Sequence, residues 1–128
     1  MKVLVDSHIY VWAKLGDHRL SARARKVLRS DDHELFFSLA SLWELSIKLR
    51  NGKLRTLTSS IAFLHDSLEE DGISILPIAY ADILAVEHLE YHHRDLFDRI
   101  MIAQAINNGL TLLTNDADIK LYSAPTIW

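Results

Sequence analysis

Four carboxylates occupy positions where an acid needs a reason to be. Asp6 closes the apolar run Lys2 to Val5, and Asp116 comes two residues after the run Leu110 to Thr114. Asp98 falls in the first turn of a helix that is apolar nearly all round, and Glu44 stands mid-helix between Trp43 and Leu45. Acids gathered in one cleft repel each other, and they stay ionised together only if a cation compensates them. An all-oxygen donor set, in a chain without cysteine, selects a hard ion, Mg2+ or Mn2+. Such a site can activate a water and neutralise charge on a phosphodiester during in-line displacement.

Each acid also has a purely local reading. Asp98 suits the positive end of a helix and could close a capping box with Asp95. Asp116 could serve only as an N-cap or Asx-turn residue, and Glu44 could only pair with Lys48 at i+4. Asp6, at the end of a buried strand, is the hardest to explain locally. The argument for a site is the edge that all four share.

That edge follows from the elements. Lys2 to Asp6 reads as a short buried strand, and Ser21 as the cap of a helix reaching about Arg29. Leu35 to Ser38 is a second strand, followed by a helix over Leu39 to Arg50 that Asn51-Gly52 stops. Ser59 or Ser60 starts another helix, ending near Asp71-Gly72. Ile73 to Leu76 is a third strand, stopped by Pro77, and Asp82 to Leu89 is helical. Asp95 caps a helix running to Asn108, with Gly109 as its stop. Leu110 to Thr114 is a fourth strand, and Thr126 to Trp128 offers a last one. Strands alternating with helices indicate an α/β fold: a mostly parallel sheet of four or five strands flanked by helices, one domain over residues 1–128. Open parallel sheets place ligands outside the carboxyl ends of their strands. Asp6 and Asp116 lie there by construction; Asp98 and Glu44 reach it if their helices pack alongside.

The bulk properties are compatible with this reading. The 128 residues suffice for one core and not for two. The net charge of −3 argues mildly against a nucleic-acid binder. Its distribution matters more: residues 1–64 carry +5 and residues 65–128 carry −8, and two runs, Arg19 to Arg29 and Lys48 to Arg55, contain bases and no acid. A polarised molecule can hold a polyanion on one face despite an acidic total, although such runs are equally common as solvated helix faces. No secretory signal and no membrane-length apolar stretch is visible, so a cytoplasmic protein is expected.

The motifs resemble those of PIN domains. Val5-Asp6-Ser7-His8 is similar to their opening, where an Asp ending the first strand precedes Thr or Ser. Ser38 to Leu45, with Glu44, resembles their second motif. His92 to Arg99, followed by Ile102-Ala103-Gln104-Ala105, resembles the third, whose acid matches Asp98. Thr114-Asn115-Asp116 resembles the fourth, and the closing Pro125 to Trp128 also fits. The likeness runs in order along the whole chain and is greatest to the VapC toxin branch of toxin–antitoxin systems. It implies a divalent-metal endoribonuclease acting on RNA, inhibited by a small antitoxin protein and usually a homodimer. By residue match, Asp6, Glu44, Asp98 and Asp116 become catalytic metal ligands or organisers of the attacking water, and Ser7 steadies the loop beside Asp6. Asp118 is a candidate fifth acid, with a surface position as the simpler reading. Leu96 departs from the pattern, since many relatives carry Pro there.

Other constellations are weaker. His92-His93 lacks a third histidine at i+4 and reads as a surface loop. Trp12, Trp43 and Trp128 read as core residues rather than base-stacking platforms. No glycine-rich phosphate loop is present, and His8 stands where an aspartyl phosphatase would want its second Asp. Two alternatives remain: a PIN-like binding module without activity, using the basic runs and the apolar residues of Ile47 to Leu57, or a nuclease acting on DNA.

Overall fold

Val3, Leu4 and Val5 are wholly buried, as expected of a strand covered on both faces. They belong to β1 (Lys2–Val5), the middle strand in a computed structural model that describes residues 1–54 and 60–128. On one side β1 pairs with β2 (Glu34–Ser38), Leu4 opposite Phe36, and beyond β2 lies β3 (Ile73–Leu76). On the other side it pairs with β4 (Thr111–Leu113), Leu4 opposite Leu112, and beyond β4 lies β5 (Thr126–Ile127). The order is β3-β2-β1-β4-β5 and all four pairings are parallel. Every strand therefore ends at the same edge.

Among the described residues six α-helices flank the sheet: α1 (Ser7–Leu15), α2 (Ala22–Arg29), α3 (Leu39–Arg50), α4 (Ile61–Glu70), α5 (Tyr80–Glu87) and α6 (Leu96–Asn108). Strand alternation divides the core between the two faces. Val3 and Val5 pack with Ile9, Phe37, Leu45, Leu64 and Leu68, whereas Leu4 packs with Met101, Ile102, Ala105, Leu112 and Ile119. Side-chain oxygens of Ser21, Ser38, Ser60 and Asp95 accept backbone N–H groups at the helix starts, satisfying donors that the first turn leaves free. Ser59, Arg55 and Leu57, invoked in the sequence reading, lie outside the described residues. Among the described residues no helix is long and apolar enough to cross a membrane.

Two local expectations need correction. The segment after Asp6 is not a loop: Ser7 begins α1 directly. The run Ile9-Tyr10-Val11-Trp12 is β-branched and aromatic, which favours strands, and burial of Ile9, Tyr10 and Val11 against the sheet overrides that preference. Trp43 is not a core residue but 61% exposed. Leu96, 79% exposed, occupies the first position of α6. Proline is well tolerated there because the N–H has no helical partner, and with leucine in its place the helix still starts at this position.

Candidate active site

β1 passes into α1 without a spacer, and Asp6 is the joint. It sits at the N-cap position of α1 with extended backbone, yet its side chain caps nothing. The carboxylate, on a residue 1% exposed, instead accepts the Thr114 hydroxyl at 2.7 Å on Oδ2. His8 Nδ1 approaches the same oxygen at 3.4 Å, while its Nε2 meets Asn115 Oδ1 at 2.6 Å. Burial opposes protonation of His8, but the Asp6 contact and charge, with Asn115 and Asp98, outweigh it and raise its pKa. Thr114 is itself buried and binds both ends of the cleft, since its Oγ1 also accepts the Asp116 N–H at 3.1 Å. Thr114→Val keeps the shape and removes that hydroxyl. It is expected to cost about 1–3 kcal/mol of stability in urea melts at neutral pH, and a loss within error would mean that Asp6 does not depend on the bond.

Glu44 reaches the same place from α3. Its Oε1 accepts the Ser7 hydroxyl at 2.8 Å, and its Oε2 lies 3.4 Å from Lys48 Nζ. The i+4 pair anticipated as a purely local reading exists, but it engages one oxygen while the other is tied to α1. Ser7 thus acts from a helix, on Glu44, rather than from a loop on Asp6.

Asp98 and Asp116 meet through a residue that the sequence reading placed on a surface loop. His93 is 14% exposed at its side chain, and its Nε2 stands 3.0 Å from Asp98 Oδ2 and 3.0 Å from Asp116 Oδ2. Its Nδ1 accepts the backbone N–H of Asp95 at 3.1 Å. A ring nitrogen that accepts carries no proton, so Nε2 bears it and donates towards the two carboxylates. This arrangement also removes the capping box considered for Asp98: the Asp95 N–H is spent on His93, while Asp95 Oδ1 alone caps Phe97 and Asp98. Asp116 does serve a turn, as one reading held, but with one oxygen only. Oδ1 accepts the N–H groups of Asp118 and Ile119, which leaves Oδ2 to the cleft. Asp118 is exposed and contributes its backbone.

The loop bearing His93 is held by two further residues. The Arg99 guanidinium, on a residue 7% exposed, donates to the carbonyls of Glu90, Leu89 and Val86, and the Tyr122 hydroxyl accepts the N–H groups of His92 and His93. Arg99 was visible within the third motif, but nothing in its spacing disclosed that it works backwards on the preceding loop.

These contacts leave negative charge uncompensated. Burial, and then the charges of Asp6, Asp95 and Glu44, push the Asp98 carboxyl up to about 7. Asp116 moves the other way. Its partial burial would raise it, but the His93 contact and the N–H groups of Asp118 and Ile119 hold it below its ordinary value.

The PIN domain family profile matches residues 3–124. The chain belongs to the PIN domain family. Among curated proteins, Ribonuclease VapC22 of Mycobacterium tuberculosis is 27% identical over 98% of this PIN domain and 98% of its own length. Among solved structures, VapBC2 from Rickettsia felis, bound to a promoter DNA fragment, superposes with a TM-score of 0.74 at 15% identity, covering 100% of this chain and 99% of that one. Mycobacterium tuberculosis VapC20, described as a sarcin-ricin loop cleaving toxin, gives 0.70 at 15% identity over 95% of each chain. These two likenesses establish the fold.

The donors of this PIN domain suit a divalent cation. Carboxylate oxygens of Asp98 and Asp116 and a ring nitrogen of His93 all lie within 4.8 Å of one another, and burial together with neighbouring acid charges pushes the Asp98 carboxyl up to about 7, an imbalance that a cation relieves. His93 belongs to the same cluster, but its protonated Nε2 makes it a hydrogen-bond donor to the acids rather than a ligand in this arrangement.

Proposed function

We propose that this PIN domain is a Mg2+- or Mn2+-dependent endoribonuclease, the toxin of a toxin–antitoxin pair, with Asp6, Glu44, Asp98 and Asp116 as its catalytic metal-binding acids. The observation that carries the reading is Asp98. A carboxyl pushed up to about 7 by burial and by three neighbouring acids at a sheet's carboxyl edge has little structural value and a clear use as a cation site. The names of VapC22, a ribonuclease, and VapC20, a toxin, support it.

The bound cation would supply charge neutralisation on the phosphodiester and acidify a water. The protein does the positioning. Ser7 orients Glu44, Thr114 orients Asp6, and His93 holds the facing oxygens of Asp98 and Asp116 at one point. Lys48, paired with Glu44, brings a positive charge to the rim where a phosphate would approach.

The partners would be RNA, a small antitoxin and a second copy of the chain, all in the cytoplasm. Leu39, Trp43 and Ile47 line one face of α3 at i+4 spacing and are 41–61% exposed, a stripe that suits protein contacts. The test is cleavage of RNA and DNA of one sequence with Mn2+, with Mg2+ and with EDTA. RNA alone should be cut, and only with metal. Cleavage of both nucleic acids alike would favour a general nuclease, and cleavage of neither would favour a binding module.

A further inference from the structure

We propose that Arg19, held over the Trp12 ring, is a stacking platform for an unpaired base of single-stranded RNA entering the acidic cleft. The proposal rests on the nuclease reading and adds the residue that selects the form of the RNA.

Helix α1 begins at the cleft and leads away from it. His8 touches Asp6 and Asn115. One turn on, at i+4, the Trp12 ring meets His8 edge-on with centroids 4.9 Å apart, and Trp128 closes on Trp12 from another side at 6.1 Å. Over Trp12 lies Arg19, its Cζ 4.5 Å from the ring centroid. An unbroken series of contacts therefore joins the Asp6 carboxylate to the Arg19 guanidinium.

Arg19 is also fixed in its plane. Its Nε donates to Asp17 Oδ1 at 3.1 Å and its Nη2 to Asp17 Oδ2 at 2.7 Å, while its backbone N–H donates to Asp17 Oδ1 at 2.9 Å. The side chain nevertheless remains 59% exposed. A guanidinium so braced has already lost its rotamer freedom, and a planar cation stacks on π-faces where a lysine ammonium does not. Splayed bases of single-stranded RNA stack on arginine planes and aromatic rings, whereas the bases of a duplex are already stacked on each other.

Charge separates this role from phosphate attraction. Asp17 neutralises Arg19 locally, so Arg19 is poorly placed to draw in a polyanion. That task falls to α2, which follows directly and carries Arg23, Arg25, Lys26 and Arg29 with no acid. Arg23, Lys26 and Arg29 are exposed.

The experiment measures binding of a labelled single-stranded RNA and of its duplex by fluorescence anisotropy in EDTA. Wild type, Arg19→Ala and Arg19→Lys are compared across a salt series. Both variants should weaken single-strand binding about 5- to 150-fold, with duplex binding unchanged and the salt slope retained. On a cleavable RNA with Mn2+ they should raise KM while turnover at saturation is kept. Thermal melts confirm that the variants fold, which an exposed side chain allows. The proposal is overturned if Arg19→Lys binds like wild type, if Arg19→Ala weakens duplex and single strand equally, or if the wild type binds no single-stranded RNA. Loss of metal-dependent cleavage in the wild type would instead remove the nuclease reading itself.

Discussion

Asp98→Asn will fail to bind Mn2+ at concentrations that saturate the wild-type protein, and RNA cleavage will fall by more than about 100-fold. Removing an outer-sphere partner of a metal site commonly costs 10- to 100-fold, and removing a charged ligand should cost more. Asp98 is the point on which the charges of Asp6, Asp95 and Glu44 converge, so neutralising it removes the strongest reason for a cation to enter. The substitution leaves the helix start intact, because the caps at Phe97 and Asp98 are made by Asp95. Calorimetric Mn2+ titration beside a cleavage assay on the same samples decides the matter. An Asn variant that binds Mn2+ with wild-type affinity would show that these acids do not form the metal site.

The same substitution should stabilise the metal-free protein. The Asp98 carboxyl titrates at about 7 in the folded chain and at about 3.8 as a free side chain. Between those values the folded state holds a proton that the unfolded state releases, so stability declines as pH rises through that window and the full cost is present above it. Three units correspond to about 4 kcal/mol as an upper bound. Asparagine carries no such cost. In EDTA, Asp98→Asn should melt well above wild type at pH 8 and close to it near pH 4, and saturating Mn2+ should stabilise wild type alone. A wild type that outlasts the variant at pH 8 in EDTA would mean that Asp98 is satisfied rather than repelled. Below pH 7 the Mn2+ affinity of wild type should fall up to tenfold per pH unit, because the ion must displace the Asp98 proton.

The legible parts of the molecule were those governed by nearby residues. Apolar runs of strand length marked β1 to β4 within a residue or two, and Ser21, Asp95 and Gly109 marked the ends of α2 and α6 as their side chains and backbone require. The four acids were expected at one edge because a parallel sheet has one carboxyl edge; in the structure Asp98 and Asp116 come together at His93, and the charges of Asp6 and Glu44 reach Asp98. What escaped depends on contacts distant in sequence. α1 was hidden because its residues prefer strands in isolation. His93 was hidden because its partners, Asp98 and Asp116, are joined by folding, and no helical spacing announces a loop histidine that turns inward. Trp43 misled because size suggested burial, whereas it lies on the exposed stripe of α3.

One property of the sheet bears on how the chain is made. Asp6 directly follows β1, and Thr114, which orients it, directly follows the neighbouring strand β4, 108 residues later. At roughly 5 to 20 residues per second of synthesis, Asp6 is made about 5 to 20 s before Thr114. During that interval β1 has β2 beside it and an open edge on the other side. The cleft stays incomplete while the nascent chain stops short of residue 114, because the hydroxyl that holds the Asp6 carboxylate has not yet been made.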